Sequence, residues 1–370
     1  MRILQITSAQ SFGGGERYVS DLANSLVALG HEVYAIVRPN SPVPRRLTDV
    51  PEANVRSLPL RNALDVTSAN DLARFVKQHD IEIIHAHMAR DYSLAAYAAR
   101  RNRAAKLIVT RHVLFPLNRL HSRTLRSAAR VIAVSEAVAR QLRDLNLLPA
   151  ARISIVRNGV DVDRLQWSRQ TNKRGELCRD WGIPDDSFLI GTVGQLNPLK
   201  GHDVFLKAAA MVRSSLPHAR FIIAGEDASP RGETLFALKG LIADLNLQDH
   251  VRLLGQLEEI APLLAALDVF VSASQTESFG LAMAEAMATS LPVVATDTAG
   301  AREVVKDGET GFVVAVGDTQ ALGESIMRLG NDAKLRERMG ELAYQDANAR
   351  FHLKRMVKAV EQIYMESLSE

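Results

Sequence analysis

Short apolar runs alternate along this chain with longer stretches whose apolar positions recur every three to four residues. In the first half, the runs 2–6, 32–37, 81–87, 107–111, 131–134 and 153–156 predict strands, and 16–29, 69–79 and 93–101 predict helices between them. The second half repeats the rhythm. Strands are predicted over 188–193, 220–224, 251–254, 269–272, 293–296 and 311–314, with helices over 201–213, 235–245, 260–266, 281–288 and 321–329. Strands that alternate with helices build parallel sheets, so two such series predict an α/β protein of two doubly wound domains.

The segment 166–179 is polar and shows neither period, and Gly182-Ile183-Pro184 punctuates the start of the second series. The join is therefore expected near 163–184, giving a first domain over 1–165, a second over 166–350 and a closing segment over 351–370. In that segment Met356, Val357, Val360, Ile363 and Tyr364 form an apolar stripe at helical spacing. Ligands of open parallel sheets sit beyond the carboxyl ends of the strands. The cleft between the two sheets is thus the expected site, and residues just after strands are the ones to read.

The 370 residues suit two domains, and 47% hydrophobic with 24% charged residues is ordinary globular composition. Cys178 is the only cysteine, which excludes an intramolecular disulfide and a Cys-rich zinc cluster and fits a reducing compartment. No apolar run approaches the roughly 18 residues of a membrane span. The stretch from Met1 to Ser8 alternates as a strand and lacks the apolar centre of a signal peptide. A cytoplasmic protein is expected.

Charge adds an asymmetry. Residues 1–165 hold 24 Lys and Arg against 14 Asp and Glu, a balance of +10, whereas the remainder carries −7. The basic half suits an anionic partner: a membrane surface, an anionic acceptor or a nucleic acid. With 5% aromatics and no recognisable nucleic-acid module, nucleic acid is not expected. Arg100, Arg101 and Arg103 form one basic stretch, and Arg119, Arg123, Arg126 and Arg130 read as one face of a helix. That face is either solvated or docks reversibly on an anionic bilayer at the inner side of the membrane.

Four loops carry candidate chemistry. The first, Ser11-Phe12-Gly13-Gly14-Gly15-Glu16, permits close backbone approach and opens a helix whose free N–H groups suit an anion; a plain structural turn is the alternative. A dinucleotide loop fails here, because Tyr18 holds the third glycine position and Arg38 ends the second strand where an acid is needed. The second loop follows Val109-Thr110-Arg111-His112, where His112 is either a half-buried histidine or a reactive one. His85 and His87 share one strand face and invite a metal reading with His112. No carboxylate or cysteine stands nearby at ligand spacing, so no metal is expected.

The third loop, Gly194-Gln195-Leu196-Asn197-Pro198-Leu199-Lys200-Gly201, places Lys200 where a helix starts, a position that suits phosphate unless the lysine is merely a solvated turn residue. It contains no Gly-Lys-Ser/Thr and is not a Walker A loop. The fourth is the most informative. Glu277 stands between the strand 269–272 and a largely apolar helix expected to begin near Phe279, and Glu285 is the one charge on that helix. A carboxylate on a core-packed helix is costly unless it binds something. A cap for Glu277 and a buried hydrogen bond for Glu285 are the plainer readings.

At these residues the chain resembles glycosyltransferase family 4, the retaining nucleotide-sugar transferases of the GT-B fold. The resemblance rests on Glu277 and Glu285 spaced as Glu-x7-Glu within Glu277-Ser278-Phe279-Gly280-Leu281. Gly13-Gly14-Gly15-Glu16, His85-Ala86-His87, His112, Ser135, Asn158-Gly159-Val160-Asp161, Lys200-Gly201, Ala224-Gly225-Glu226 and Thr298-Ala299-Gly300-Ala301-Arg302-Glu303-Val304 support it in order. It implies two Rossmann-like domains with parallel sheets facing a cleft, and a final helix that crosses back to the first domain.

The resemblance also implies roles. Lys200, with the backbone N–H groups of Phe279, Gly280 and Leu281, would hold the donor diphosphate, and Gly14 and Gly15 would close over it. Glu285 would accept from the ribose hydroxyls, Glu277 would meet the transferred sugar, Ser278 would belong to the donor site, and His112 would line the sugar. Leu254 would flank the base, while Glu16 and Arg111 would lie near the acceptor, a glycan or lipid-linked molecule. Glu277, His112 and Lys200 are the catalytic candidates, and neither metal nor cofactor is implied. One departure matters: Gln195 stands where the family usually carries Arg, which removes a positive charge from the diphosphate site. A nucleotide-sugar epimerase on the same scaffold and an inactive sugar-nucleotide-binding subunit are the alternatives.

Overall fold

The computed structural model describes residues 1–370 except Phe12, Asn118, Asn172 and Ala228, and except the side chains of Arg119 and Leu120. It divides into two compact units, Met1–Gly159 with Leu353–Glu370, and Val160–His352. The division after Gly159 falls earlier than the join expected near 163–184. The reason is that 166–171 and 174–179 are not a linker but lie in two short helices of the second unit.

The first unit runs β1 (Arg2–Thr7), α1 (Gly14–Ala28), β2 (Glu32–Val37), β3 (Val55–Ser57), α2 (Val66–Gln78), β4 (Ile83–Ala86), α3 (Ala89–Arg101), β5 (Lys106–Arg111), α4 (Arg119–Leu125), β6 (Arg130–Ala133), α5 (Glu136–Asp144) and β7 (Ile153–Ile155). All its strand pairs among the described residues are parallel, in the order β3-β2-β1-β4-β5-β6-β7. The second unit runs α6 (Val162–Thr171), α7 (Arg174–Trp181), β8 (Phe188–Val193), α8 (His202–Ser215), β9 (Ala219–Ala224), α9 (Glu233–Asp244), β10 (Val251–Gly255), α10 (Ala261–Ala266), β11 (Val269–Ser272), α11 (Leu281–Ala288), β12 (Val293–Thr296), α12 (Ala299–Val304), β13 (Gly311–Val314), α13 (Thr319–Asn331) and α14 (Ala333–Phe351). Its parallel sheet has the order β10-β9-β8-β11-β12-β13. The closing helix α15 (Leu353–Ser369) packs in the first unit.

The central strands are buried on both faces, which is why they read as unbroken apolar runs. Ile3, Ile83, Ile108 and Ile132 line one face of the first sheet and meet Tyr18, Leu22 and Leu26 of α1 with Met356, Val357, Val360 and Tyr364 of α15. In the second unit Ile190, Phe221, Val269 and Val271 meet Phe205 and Leu206 of α8 with Leu322 and Ile326 of α13. Both sheets change direction beside their first strand. Successive connections run outward from β1 through β2 on one side and through β4 on the other, and likewise from β8 through β9 and β11. Such a switch point opens a crevice at the strands' carboxyl ends.

The basic helix face expected from Arg119 to Arg130 does not form. Helix α4 ends at Leu125, Arg126 lies in the following turn, and Arg130 opens β6, where its guanidinium meets the Glu370 carboxylate. Arg119's side chain lies outside the described residues. Among the described residues, no helix is long and apolar enough to cross a membrane.

Both tryptophans, Trp167 and Trp181, lie in the second unit, so their fluorescence reports on that unit alone. Phe205 is fully buried and packs edge-on against Phe221. Phe205→Ala should destabilise this unit by about 3–5 kcal/mol, read as an earlier tryptophan transition in urea.

Candidate functional site

In the second unit the loops after β8, β9 and β11 are held together by contacts that only glycine permits. Gly201 sits at φ +63° between the short 3-10 turn Pro198–Lys200 and α8, and a Cβ there would collide with the Ala273 carbonyl oxygen. Helix α8 thus begins at His202, and Lys200 ends the turn before it. The Gln275 amide donates to the Leu199 carbonyl at 2.8 Å, fastening the loop after β8 to the loop after β11. Gly225 packs on the Gly194 carbonyl in the same way.

This docking brings Lys200 Nζ onto Glu277 Oε1, which also accepts from Ser274 Oγ at 3.1 Å. The pair comes from β8 and β11, the two strands that flank the switch point. Glu277 is fixed from behind as well: its carbonyl accepts from the Gly300 amide at 2.8 Å, and a Cβ on Gly300 would meet the Phe279 carbonyl. Gly280, at φ +94°, caps α11, which begins at Leu281, the start given by its apolar period and two residues past Phe279. In its first turn the Met283 amide donates to the Gly280 carbonyl at 3.0 Å, while Leu281 and Ala282 stand too early in the helix to reach an i−4 carbonyl of it. Glu285 lies one turn further, 5% exposed, on the helix face it shares with the half-buried Leu281 and Ala282. Ser278 and Gln195 are half-buried, and the Gln195 carbonyl meets His202 Nε2 at 3.3 Å. Leu254 is half-buried in the edge strand β10.

In the first unit, Gly14 and Gly15 belong to the first turn of α1, and Gly13 is its N-cap. The Glu16 carboxylate turns back to accept from the Gly13 amide at 3.0 Å. Burial raises its carboxyl above the ordinary value, against the lowering effect of the amide bonds. Gly15 backs the His112 ring at 3.8 Å from Cγ to where a Cβ would stand, and Tyr18 presents its ring edge-on to the same imidazole at 4.9 Å. Arg111 is 4% exposed and donates to the Phe115 carbonyl.

His85 and His87 do share a face, with ring centroids 4.1 Å apart. Their ring nitrogens are engaged by Tyr364, Thr110, Gln5 and His112. Burial pushes all three imidazoles down, His112 to about 3. The structure therefore gathers Lys200, Ser274 and Glu277 at one switch point, and Gly15, His87 and His112 at the other. Sequence reading gave no site role to Ser274, Gly300, Gln5 or Tyr364. Gly300 lies inside a quoted motif and Tyr364 in the apolar stripe, whereas Ser274 and Gln5 carry no local signal.

Residues 173–346 match the family model described as Glycosyl transferases group 1, and residues 12–164 match that of Glycosyltransferase Family 4. The chain is a family 4-type GT-B glycosyltransferase. This glycosyltransferase is 27% identical to N-acetyl-alpha-D-glucosaminyl L-malate synthase of Bacillus anthracis, over 99% of this chain and 97% of the relative. It is 28% identical to D-inositol 3-phosphate glycosyltransferase of Thermomonospora curvata, over 90% of this chain and 86% of that one. Among solved structures, a glycosyltransferase from Rickettsia africae superposes with a TM-score of 0.86 at 24% identity, covering 99% of this chain and 98% of the other. HepE from Anabaena, solved with UDP and glucose, gives 0.86 at 22% identity, covering 99% and 100%.

The neutral histidines of this glycosyltransferase set the acid limit of its first unit. Unfolded, each imidazole titrates near 6.5, whereas the folded unit keeps it neutral, so below that pH the unfolded chain binds more protons and stability falls with pH. His112 alone should cost about 1.4 kcal/mol per pH unit below about 6.5. Asp91, which burial raises to about 6, opposes part of this between about pH 4 and 6, because the fold retains its proton. Urea unfolding followed by circular dichroism at stepped pH measures the slope, with tryptophan fluorescence as the second unit's control; His112→Gln should flatten it.

Proposed function

We propose that this glycosyltransferase moves a sugar, with retention of anomeric configuration, from a UDP- or GDP-sugar to a hydroxyl of a glycan or lipid-linked acceptor in envelope polysaccharide or glycolipid synthesis. The observation that carries the reading is the Lys200–Glu277 pair at the β8/β11 switch point, beside the first turn of α11. A cation and an apolar helix's free amides suit a diphosphate, and a carboxylate next to them suits sugar hydroxyls. In this reading Lys200 with the amides of Phe279, Gly280 and Leu281 holds the diphosphate, Glu277 binds the transferred sugar, Ser278 belongs to the donor site, Glu285 binds the ribose and Leu254 flanks the base. Gly14, Gly15, Glu16, Arg111 and His112 are the first unit's contribution. HepE, solved with UDP, supports UDP as the first nucleotide to test. The relative named for L-malate supports including small hydroxy acids among the acceptors.

The chemistry follows from the groups present. The acceptor hydroxyl attacks the anomeric carbon on the face that the diphosphate leaves. The new C–O bond forms as the old one breaks, and a leaving phosphate oxygen takes the hydroxyl proton. The protein's share is orientation and stabilisation of the departing negative charge. Lys200 and the α11 amides supply that stabilisation, so the reading needs no divalent metal; it also places the enzyme in the cytoplasm. The Lys200–Glu277 pair is part-exposed and therefore weak, so exchanging the carboxylate for a diphosphate costs little.

Chromatographic assay of nucleotide diphosphate release, with donors and acceptors screened in pairs, tests the proposal. Lys200→Ala and Glu277→Ala should each slow transfer by about tenfold or more with unaltered tryptophan transitions. Wild-type turnover in both would refute the assignment. Gln195→Arg should tighten nucleotide diphosphate binding by about tenfold, one added charge-assisted hydrogen bond, in calorimetry.

A further inference from the structure

The hydrogen bonds around the first unit's histidines form one connected set. Gln5, inside β1, stands in the middle. Its Oε1 faces His87 Nε2 at 2.7 Å, and its Nε2 faces the Tyr364 hydroxyl at 3.4 Å. Along one arm, His87 Nδ1 lies 3.3 Å from His112 Nε2. Along the other, the Tyr364 hydroxyl lies 2.5 Å from His85 Nδ1, and His85 Nε2 lies 2.7 Å from Thr110 Oγ1.

Counting donors and acceptors gives the set a direction. An amide oxygen only accepts, so His87 carries its proton on Nε2. Burial keeps His87 and His112 neutral, and a neutral imidazole protonated on Nε2 has a bare Nδ1. His87 Nδ1 therefore accepts from His112 Nε2–H, and His112 in turn has a bare Nδ1. On the other arm the Gln5 amide donates to the Tyr364 oxygen, whose own proton goes to His85. Turning the Gln5 amide over would reverse every bond and put a proton on His112 Nδ1. That atom is shielded from water and meets no donor among the described residues. A polar atom so placed wants the one partner the chain withholds.

We propose that Tyr364 and Gln5, acting through His87, hold His112 in the Nε2–H tautomer, so that its bare Nδ1 accepts a hydrogen bond from a hydroxyl of the substrate. The inference rests on the reading that His112 meets substrate. Gln5, His87 and Tyr364 are positioning residues: none of them needs to touch the reacting molecule. The arrangement selects for a substrate that brings an O–H donor to this nitrogen and against one that presents only an acceptor there. It also makes the last helix of the chain part of the site's chemistry, through a single hydroxyl.

Histidine-¹⁵N-labelled full-length protein provides the test, since two-bond ¹H–¹⁵N spectra separate a bare ring nitrogen from a protonated one, and His112→Gln assigns the signal. His112 is expected as Nε2–H in the wild type, and as a mixture of tautomers in Gln5→Met and Tyr364→Phe. A wild-type His112 protonated on Nδ1 overturns the proposal, as does an unchanged tautomer in Gln5→Met. The wild-type spectrum decides even where a variant fails to fold. In the transfer assay, Gln5→Met should lower kcat/KM by about three- to tenfold, the worth of one net hydrogen bond. A shifted tautomer with unaltered kcat/KM would overturn the substrate contact while leaving the relay standing, which separates the two ideas.

Discussion

Backbone lying directly on backbone at the carboxyl end of the second sheet decides where the charged groups of this glycosyltransferase stand. Gly201 against the Ala273 carbonyl, Gly225 against that of Gly194, and Gly300 against that of Phe279 each leave no room for a Cβ. A side chain at any of them would lift one loop off the next. Because the loops after β8 and β11 touch, Lys200 reaches Glu277. Because α12 approaches through Gly300, the Glu277 backbone is held from the far side by the Gly300 amide at 2.8 Å. The glycines of the motifs and the charged residues between them thus belong to one device: the first set the spacing that gives the second a partner.

The resulting ion pair is a poor source of stability. With side-chain exposures of 30% and 16%, it lies in the range where coulombic attraction is largely offset by desolvation and lost side-chain freedom. Its value lies in placement near the N-terminus of α11. The first unit solves a corresponding problem without charge. Its switch point between β1 and β4 is lined by imidazoles, an amide and hydroxyls joined by hydrogen bonds, all buried save the half-buried His112. Burial that keeps these histidines neutral suits them to recognise hydroxyls; a charged counterpart would repel or trap ions instead.

Most of the framework was legible because its strands are buried on both faces. Predicted and observed bounds coincide for Glu32–Val37, Phe188–Val193, Val269–Ser272, Val293–Thr296 and Gly311–Val314. What escaped notice has little apolar period to show. Strand β3, three residues at the sheet edge, is mostly exposed. Helices α6 and α7 occupy a polar stretch and dock through few apolar side chains. Arginines replace them: Arg169 and Arg174 donate to the Ala265, Ala266 and Leu267 carbonyls around the end of α10. The supposed basic helix failed for a related reason. Arginines spaced at three and four read as a face, but the apolar residues Val131, Ile132 and Ala133 form a strand that claims Arg130 as its first residue.

The site was legible only where its residues crowd into short motifs. Lys200, Glu277 and Glu285 announced themselves through an odd charge in an apolar setting. The hydrogen-bonded set around His112 could not, because Gln5 and Tyr364 are 359 residues apart and neither is unusual where it stands. Tyr364 read correctly as part of an apolar stripe, and its ring does pack there; the hydroxyl at the end of that ring is the part the period cannot see. The same helical face thus has two tasks. Its aliphatic members, Met356, Val357, Val360 and Ile363, fix α15 against the first unit's core. With the helix so fixed, one phenol oxygen is held 2.5 Å from His85 and 3.4 Å from Gln5, where a phenylalanine would pack as well and orient nothing.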